Sequence, residues 1–230
     1  MITLLPSLER GKTEFPGLTS MHSFSFGEYY NPDRFDFRAL RVINDDLLAP
    51  GFGFPLHPHK NMEIITYVTD GAIEHQDSMG NRATIETGEL QRMTAGSGIR
   101  HSEYNASKTA PASLLQIWIT PAQTGLQPGY EQKKVSAATD GLTLVVSPDK
   151  EEGTLFINQN ARIYIGRTKS GTQLQLPLGQ GRYGWLQLIE GSLNVADTRA
   201  SAGDGVAISD LINPTLEATA DCHFLYFDLA

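Results

Sequence analysis

Cysteine is almost missing from this chain of 230 residues: Cys222 stands alone, so no disulfide can close within it and no cysteine pair exists for a zinc or dithiol motif. A cationic surplus is missing too. With 18 basic against 26 acidic side chains the formal charge is −8, which leaves no excess of positive charge to hold phosphates and argues against nucleic acid as a direct ligand. No apolar run approaches the ~18 residues of a membrane span. The opening MITLLPSLERGK has a short apolar stretch broken by Pro6 and no positive segment ahead of it, which is not the pattern of a secretion signal. No long amphipathic helical repeat is present either. These absences point to a chain without membrane or nucleic-acid contacts, held in a reducing, cytoplasmic compartment.

What the chain does have is short strands and punctuation. Hydrophobic residues make up 40%, enough for a sizeable core, and 22 glycines and 12 prolines break them into brief runs. LLQIWIT (114–120) and LTLVVS (142–147) are too short for helices, while EYYNPDRF (28–35), QDSMGNR (76–82) and NQNAR (158–162) carry turn chemistry. The pattern predicts an all-β sandwich or barrel.

An internal repeat is visible when YVTDGAIEHQ (67–76) is set against QLIEGSLNVA (187–196): each is a strand closed by an acidic residue and glycine, then another strand. The offsets that lead back from Gly71 to His57 and His59 lead back from Gly191 to Pro177 and Gly179. Those that lead forward from Gly88 to His101 and Glu103 lead from Gly203 to Leu216 and Ala218. If the halves are related, only the first carries imidazoles.

Three of the six histidines fall in two short segments, HPH (57–59) and HSEYN (101–105). Alternate residues of a strand share a face with Cα atoms roughly 6 to 7 Å apart, so His57 with His59, and His101 with Glu103, each form a pincer, and two pincers on facing strands supply four ligands. Neutral imidazole with carboxylate suits iron, manganese, nickel, copper or zinc. Glu63 competes for the carboxylate role: on a straight strand it lies about 13 Å beyond His59, whereas a turn at 59–62 would fold it back. Spacing leaves both open, although Glu103 needs no turn. Phe52 and Phe54 just ahead of the ligands suit core packing or a substrate wall, Arg100 points away from His101, and Asn105 orients a ligand or builds a turn. His22, His75 and His223 lack a partner at metal spacing and read as structural.

GFPLHPHKNMEIITYVTDG (53–71) resembles the first cupin motif and GELQRMTAGSGIRHSEYN (88–105) the second, with Thr94 at the usual proline place. Together with MHSFSFGEYYNP (21–32) and HQDSMGN (75–81), they resemble the pirin family and its bacterial members with quercetin 2,3-dioxygenase activity, strongly over residues 1 to about 135 and more loosely beyond. The resemblance implies a bicupin: two face-to-face antiparallel β-barrels of the jelly-roll type, a metal-binding barrel over 1–135 and a barrel without metal ligands over 136–230. It implies one divalent transition metal per chain on His57, His59, His101 and Glu103, iron(II) first and zinc, nickel, manganese, cobalt or copper as substitutes. The activity implied is dioxygenase cleavage of a flavonol such as quercetin by O2 with release of CO, in a monomer, with Glu103 also taking the substrate's proton. A second reading is an iron-binding, redox-responsive regulator acting through a protein partner, and a third is a closed zinc site that only stabilises the barrel.

Overall fold

The computed structural model describes residues 1–135 and 137–230. It is all-β: among the described residues the only helical pieces are short 3-10 turns at Ser7–Glu9 and Pro32–Arg34. None is long and apolar enough to cross a membrane.

The chain divides into two compact units. One comprises Gly11–Val135 with Leu155–Gln159; the other comprises Met1–Arg10, the described part of 136–154, and Asn160–Ala230. The boundary expected at 135/136 falls at Ser136, which lies outside the described residues, and the division departs from a single cut in two places. The strand Ile2–Leu5 pairs antiparallel with Gly205–Ile208 in the second unit. Leu155–Gln159 returns to the first, where the Asn158 carbonyl accepts from the Ala122 amide at 2.8 Å and its side-chain amide donates to Glu63 at 3.1 Å.

The unit holding the HPH segment is built from two antiparallel sheets. The larger runs in the order Gly129–Lys134, Glu89–Thr94, Glu63–Asp70, Ala112–Ile119, Leu40–Leu48, Leu18–His22, Gly11–Phe15. The smaller runs Gly53–His59, Ile99–Asn105, Ala72–Asp77, Arg82–Glu86. Ile73 and Ile85 of the smaller sheet pack on Leu48, Val68 and Leu114 of the larger, closing one end of the interior. Among the described residues no ladder joins the two sheets, so the architecture is two packed open sheets and not the closed barrel expected.

Alternation along Ile99–Asn105 decides what faces inward. Ile99, His101, Glu103 and Asn105 are buried, whereas Arg100 and Tyr104 are exposed and Ser102 is half-buried. Asn105 serves the turn that follows: its amide donates to the carbonyls of Leu48, Ala49 and Ala110, and its oxygen accepts from the Ser107 amide. The tight turn between Glu63–Asp70 and Ala72–Asp77 is made at Gly71, whose φ of 75° favours glycine.

The second unit repeats the plan without the chemistry. Its smaller sheet is ordered Gln173–Gln175, Thr215–Ala218, Ser192–Val195, Thr198–Ser201, and Gly191, φ 87°, makes the turn that matches Gly71. Leu216 and Ala218, at the offsets of His101 and Glu103, are buried in an apolar cluster with Leu176, Leu178, Leu188 and Leu193. The repeat read from the sequence is therefore present in the strand order, and this interior carries Leu216 and Ala218 in place of His101 and Glu103.

Gly53 fixes how closely the Gly53–His59 strand approaches Glu103, because a Cβ there would run into the main chain of Glu103 and Tyr104. Gly53→Ala is expected to destabilise the protein by about 1–3 kcal/mol, the usual cost of overpacking, read as a lower urea midpoint at unchanged m-value.

Candidate metal centre

The Gly53–His59 strand pairs antiparallel with Ile99–Asn105, setting His101 opposite His57 and Ile99 opposite His59, with a bulge between His101 and Glu103. The two histidine segments therefore lie on hydrogen-bonded neighbours of one sheet, not on strands of opposing sheets. On the other side of Ile99–Asn105 the Ala72–Asp77 strand puts His75 opposite Glu103 and Asp77 opposite His101.

Register brings the rings together. Ring centres lie 4.5 Å apart for His57 and His101, 4.7 Å for His57 and His59, and 4.9 Å for His59 and His101. One ligating nitrogen from each of the three falls within 4.8 Å of the others. The Nδ1 of His57 is 2.7 Å from the Pro55 carbonyl, which can only accept, so Nδ1 carries the proton and Nε2 keeps its lone pair. His101 is buried, and neither of its ring nitrogens has a hydrogen-bond partner among the described residues. Dry imidazole nitrogens without partners are costly. An ion among the three rings would take the lone pair of one nitrogen of each and lower that cost, so the residues fit a metal.

Glu103 is 1% exposed and is held by donors from the larger sheet. The Thr66 hydroxyl donates to Oε1 at 2.9 Å, the Gln91 amide also donates to Oε1, and the Gln116 amide donates to Oε2 at 2.7 Å. Gln91, Thr66 and Gln116 are direct neighbours across three adjacent strands, so strand register presents them to the carboxylate as one row. Three of a carboxylate's roughly four acceptor sites are then filled, and one remains for an ion.

Glu63 is fully buried but engaged elsewhere. Its carboxylate accepts from Thr94 at 3.0 Å and from Asn158, and it belongs to neither group of clustered ligand atoms. His75, read as structural in the sequence, is placed instead in the site: its Nε2 is 3.3 Å from Asp77 and its Nδ1 3.9 Å from Glu103 Oε1. The sequence signal was present in HQD at 75–77, a third residue pair with the alternate spacing of the other two. His22 lines the neighbouring cavity, and His223 is buried in the second unit.

A chamber of about 40 Å³ is lined by His57, His59, His101 and Glu103 together with Phe54, Trp118 and Gln116. Phe26, Phe54, His57, His59 and Trp118 also line a larger cavity of about 500 Å³, walled further by Phe15, Pro16 and Leu18. The Trp118 ring stands edge-on to His59 at 4.8 Å and 82°. Phe54 is thus a wall of the cavity, while Phe52 covers the α-carbon of Gly17 and is half exposed.

Burial sets the charges. Loss of hydration, with the His101 and His57 rings adding to it, lowers His59 to about 3; burial lowers His101 to about 4 against the pull of Glu103. Burial alone would raise Glu103, but contact with His75, the nearby His101 and the Thr66 hydroxyl outweigh it and hold the carboxyl at about 2. At neutral pH His59 and His101 are neutral and Glu103 is ionised, the forms a metal requires.

The same shifts give a pH dependence for the ion-free protein. The unfolded chain takes up protons near pH 6.5, but His59 and His101 in the fold do so only near 3 and 4. Stability is therefore full above about pH 6.5 and falls as pH drops toward 4. Glu103 adds a second loss as pH falls from 4.5 toward 2. Urea unfolding in chelator across this range is expected to show both, and His101→Gln to flatten the first.

Comparison with known proteins agrees with the all-β fold. Residues 7–119 match the Pirin family model and residues 144–229 the model of the quercetinase C-terminal cupin domain. A quercetin 2,3-dioxygenase of Escherichia coli K12 is 44% identical over 229 residues, covering 100% of this chain and 99% of that protein. A pirin-like protein of Caulobacter vibrioides is 39% identical over 233 residues, with 100% of both chains covered. Among solved structures, the bacterial pirin YhhW of Escherichia coli in complex with nickel(II) superposes with a TM-score of 0.96 at 44% identity, covering 100% of this chain and 99% of that one. The chain belongs to the pirin family.

Proposed function

We propose that this protein is a metal-dependent dioxygenase that opens the central ring of a flavonol such as quercetin with O2 and releases CO, His57, His59, His101 and Glu103 holding one divalent transition ion. Iron(II) is the expected native ion, with zinc, nickel, manganese, cobalt or copper able to take the same ligands. On this reading the two units are the two cupin domains of a bicupin, only the first of which holds an ion. The observation that carries it is His101, buried with both ring nitrogens unpartnered, in a chamber lined by all four residues beside an apolar cavity of about 500 Å³. The relatives named as quercetin 2,3-dioxygenase and the nickel complex of YhhW support it.

When bound, the ion supplies Lewis acidity that lowers the pKa of a coordinated hydroxyl. The chain's own residues do the rest. Phe26, Phe54 and Trp118 offer flat apolar faces to a planar aromatic ligand and exclude water from the rings. The Pro55 carbonyl keeps the His57 Nε2 lone pair available, and the Thr66, Gln91 and Gln116 donors fix the direction of the Glu103 oxygens. Glu103, ionised at working pH, accepts the substrate's hydroxyl proton at a carboxylate oxygen.

Anaerobic purification with metal analysis, followed by quercetin and air, tests the reading. Loss of the flavonol absorbance with CO release is expected, with about one ion per chain. His101→Ala should abolish both. Glu103→Gln should lower the rate by about 10²-fold or more while the protein still folds. An iron-loaded protein that leaves quercetin unchanged refutes the enzyme.

A further inference from the structure

His101 belongs to two groups of clustered ligand atoms, not one. Besides His57, His59 and His101, the atoms of His75, His101 and Glu103 also lie within 4.8 Å of one another, and all three of these residues are buried. The second group lies away from the large cavity, whose lining includes His57 and His59 but none of His75, His101 and Glu103.

Asp77 orients the inner group. It is a carboxylate and can only accept, so the 3.3 Å contact with His75 Nε2 places a ring proton there, and Nδ1 is the nitrogen turned toward Glu103 and available to an ion. Nδ1 is buried with no hydrogen-bond partner among the described residues and stands 3.9 Å from Glu103 Oε1. The Asp77 carboxylate cannot turn away, because Oδ1 accepts from the Met79 and Asn81 amides and Oδ2 from the Asn81 side chain. The His75 ring is flanked by Tyr130 at 4.9 Å. His75 Nδ1 and Glu103 Oε1 therefore face each other out of contact with water, the ring held by a carboxylate and an aromatic neighbour.

A carboxylate behind a histidine is the arrangement that orients histidine ligands at metal sites. Two atoms on one ion lie at most about 4 Å apart, twice a bond of 2.0–2.1 Å, so His75 Nδ1 and Glu103 Oε1 already stand within that span. Charge points the same way: Glu103 and Asp77 together neutralise a divalent ion, which lowers the cost of placing it out of contact with water.

We propose that the protein has a second, inner seat for a divalent transition ion, made by His75 Nδ1, His101 and Glu103 and oriented by Asp77, so that one ion has two alternative positions sharing His101. In the outer seat it meets the large cavity; in the inner seat it does not. The inference rests on the metal reading above but assigns His75 as a ligand, which that reading does not.

Cobalt(II) titration, followed by d–d absorption and metal analysis, separates the two. Wild type is expected to bind one ion. His57→Ala/His59→Ala, which removes two half-buried residues of the outer seat, should still bind one ion with an altered absorption spectrum. Adding His75→Ala, or separately His75→Gln, should abolish that binding while circular dichroism shows the fold retained. If the double variant binds no cobalt, or binds it equally well without His75, the inner seat does not exist. If wild type itself binds none, the metal reading fails instead.

Discussion

A carboxylate sealed from water in an apolar interior governs the rest of this structure. Glu103 cannot be kept ionised there without donors, and the larger sheet supplies them from positions that an ordinary core would fill with valine or leucine. Gln91, Thr66 and Gln116 form a row across three strands that continues through Asn44 to His22. His22 in turn contacts Asn44 at 2.8 Å and Thr13 at 2.8 Å. The polar band is thus a line of register partners, and it exists because the smaller sheet presents charge to it.

The second unit shows the scaffold relieved of that demand. Its smaller sheet has the same order of strands, yet Leu216 and Ala218 stand where the repeat puts His101 and Glu103, and leucines fill the space between the sheets. No buried carboxylate needs donors at those positions and no amide row is required. The histidine unit gives up apolar packing at its centre for a chamber and a cavity; the other keeps the packing.

The sequence displayed much of this and hid the rest for identifiable reasons. Alternation along HPH and HSEYN revealed which residues share a face, because a strand's period of two is local. That His57 and His101 are direct neighbours in one sheet depends on register, which spacing along the chain does not encode. His75 escaped notice because its partners are split: Asp77 is two residues away and legible, but Glu103 meets it only across strands. Gln91 and Gln116 gave no signal, since isolated glutamines in strands look like surface residues until a buried carboxylate is found opposite them. Asn105 resolved to a turn because its amide is spent on three carbonyls.

Covalent order and folded order differ in this chain. Ile2–Leu5 is made first but its pairing partner Gly205–Ile208 comes near the end, and the histidine unit is not complete until Leu155–Gln159 has arrived after the other unit has begun. Synthesis from the N-terminus therefore cannot finish either unit and set it aside before starting the next. Through much of translation the buried Glu63 waits for the amide of Asn158, and the first strand waits with an unpaired edge. Two units laced in this way are inherited as a pair, because a single crossover between 135 and 155 would separate each from a piece of itself.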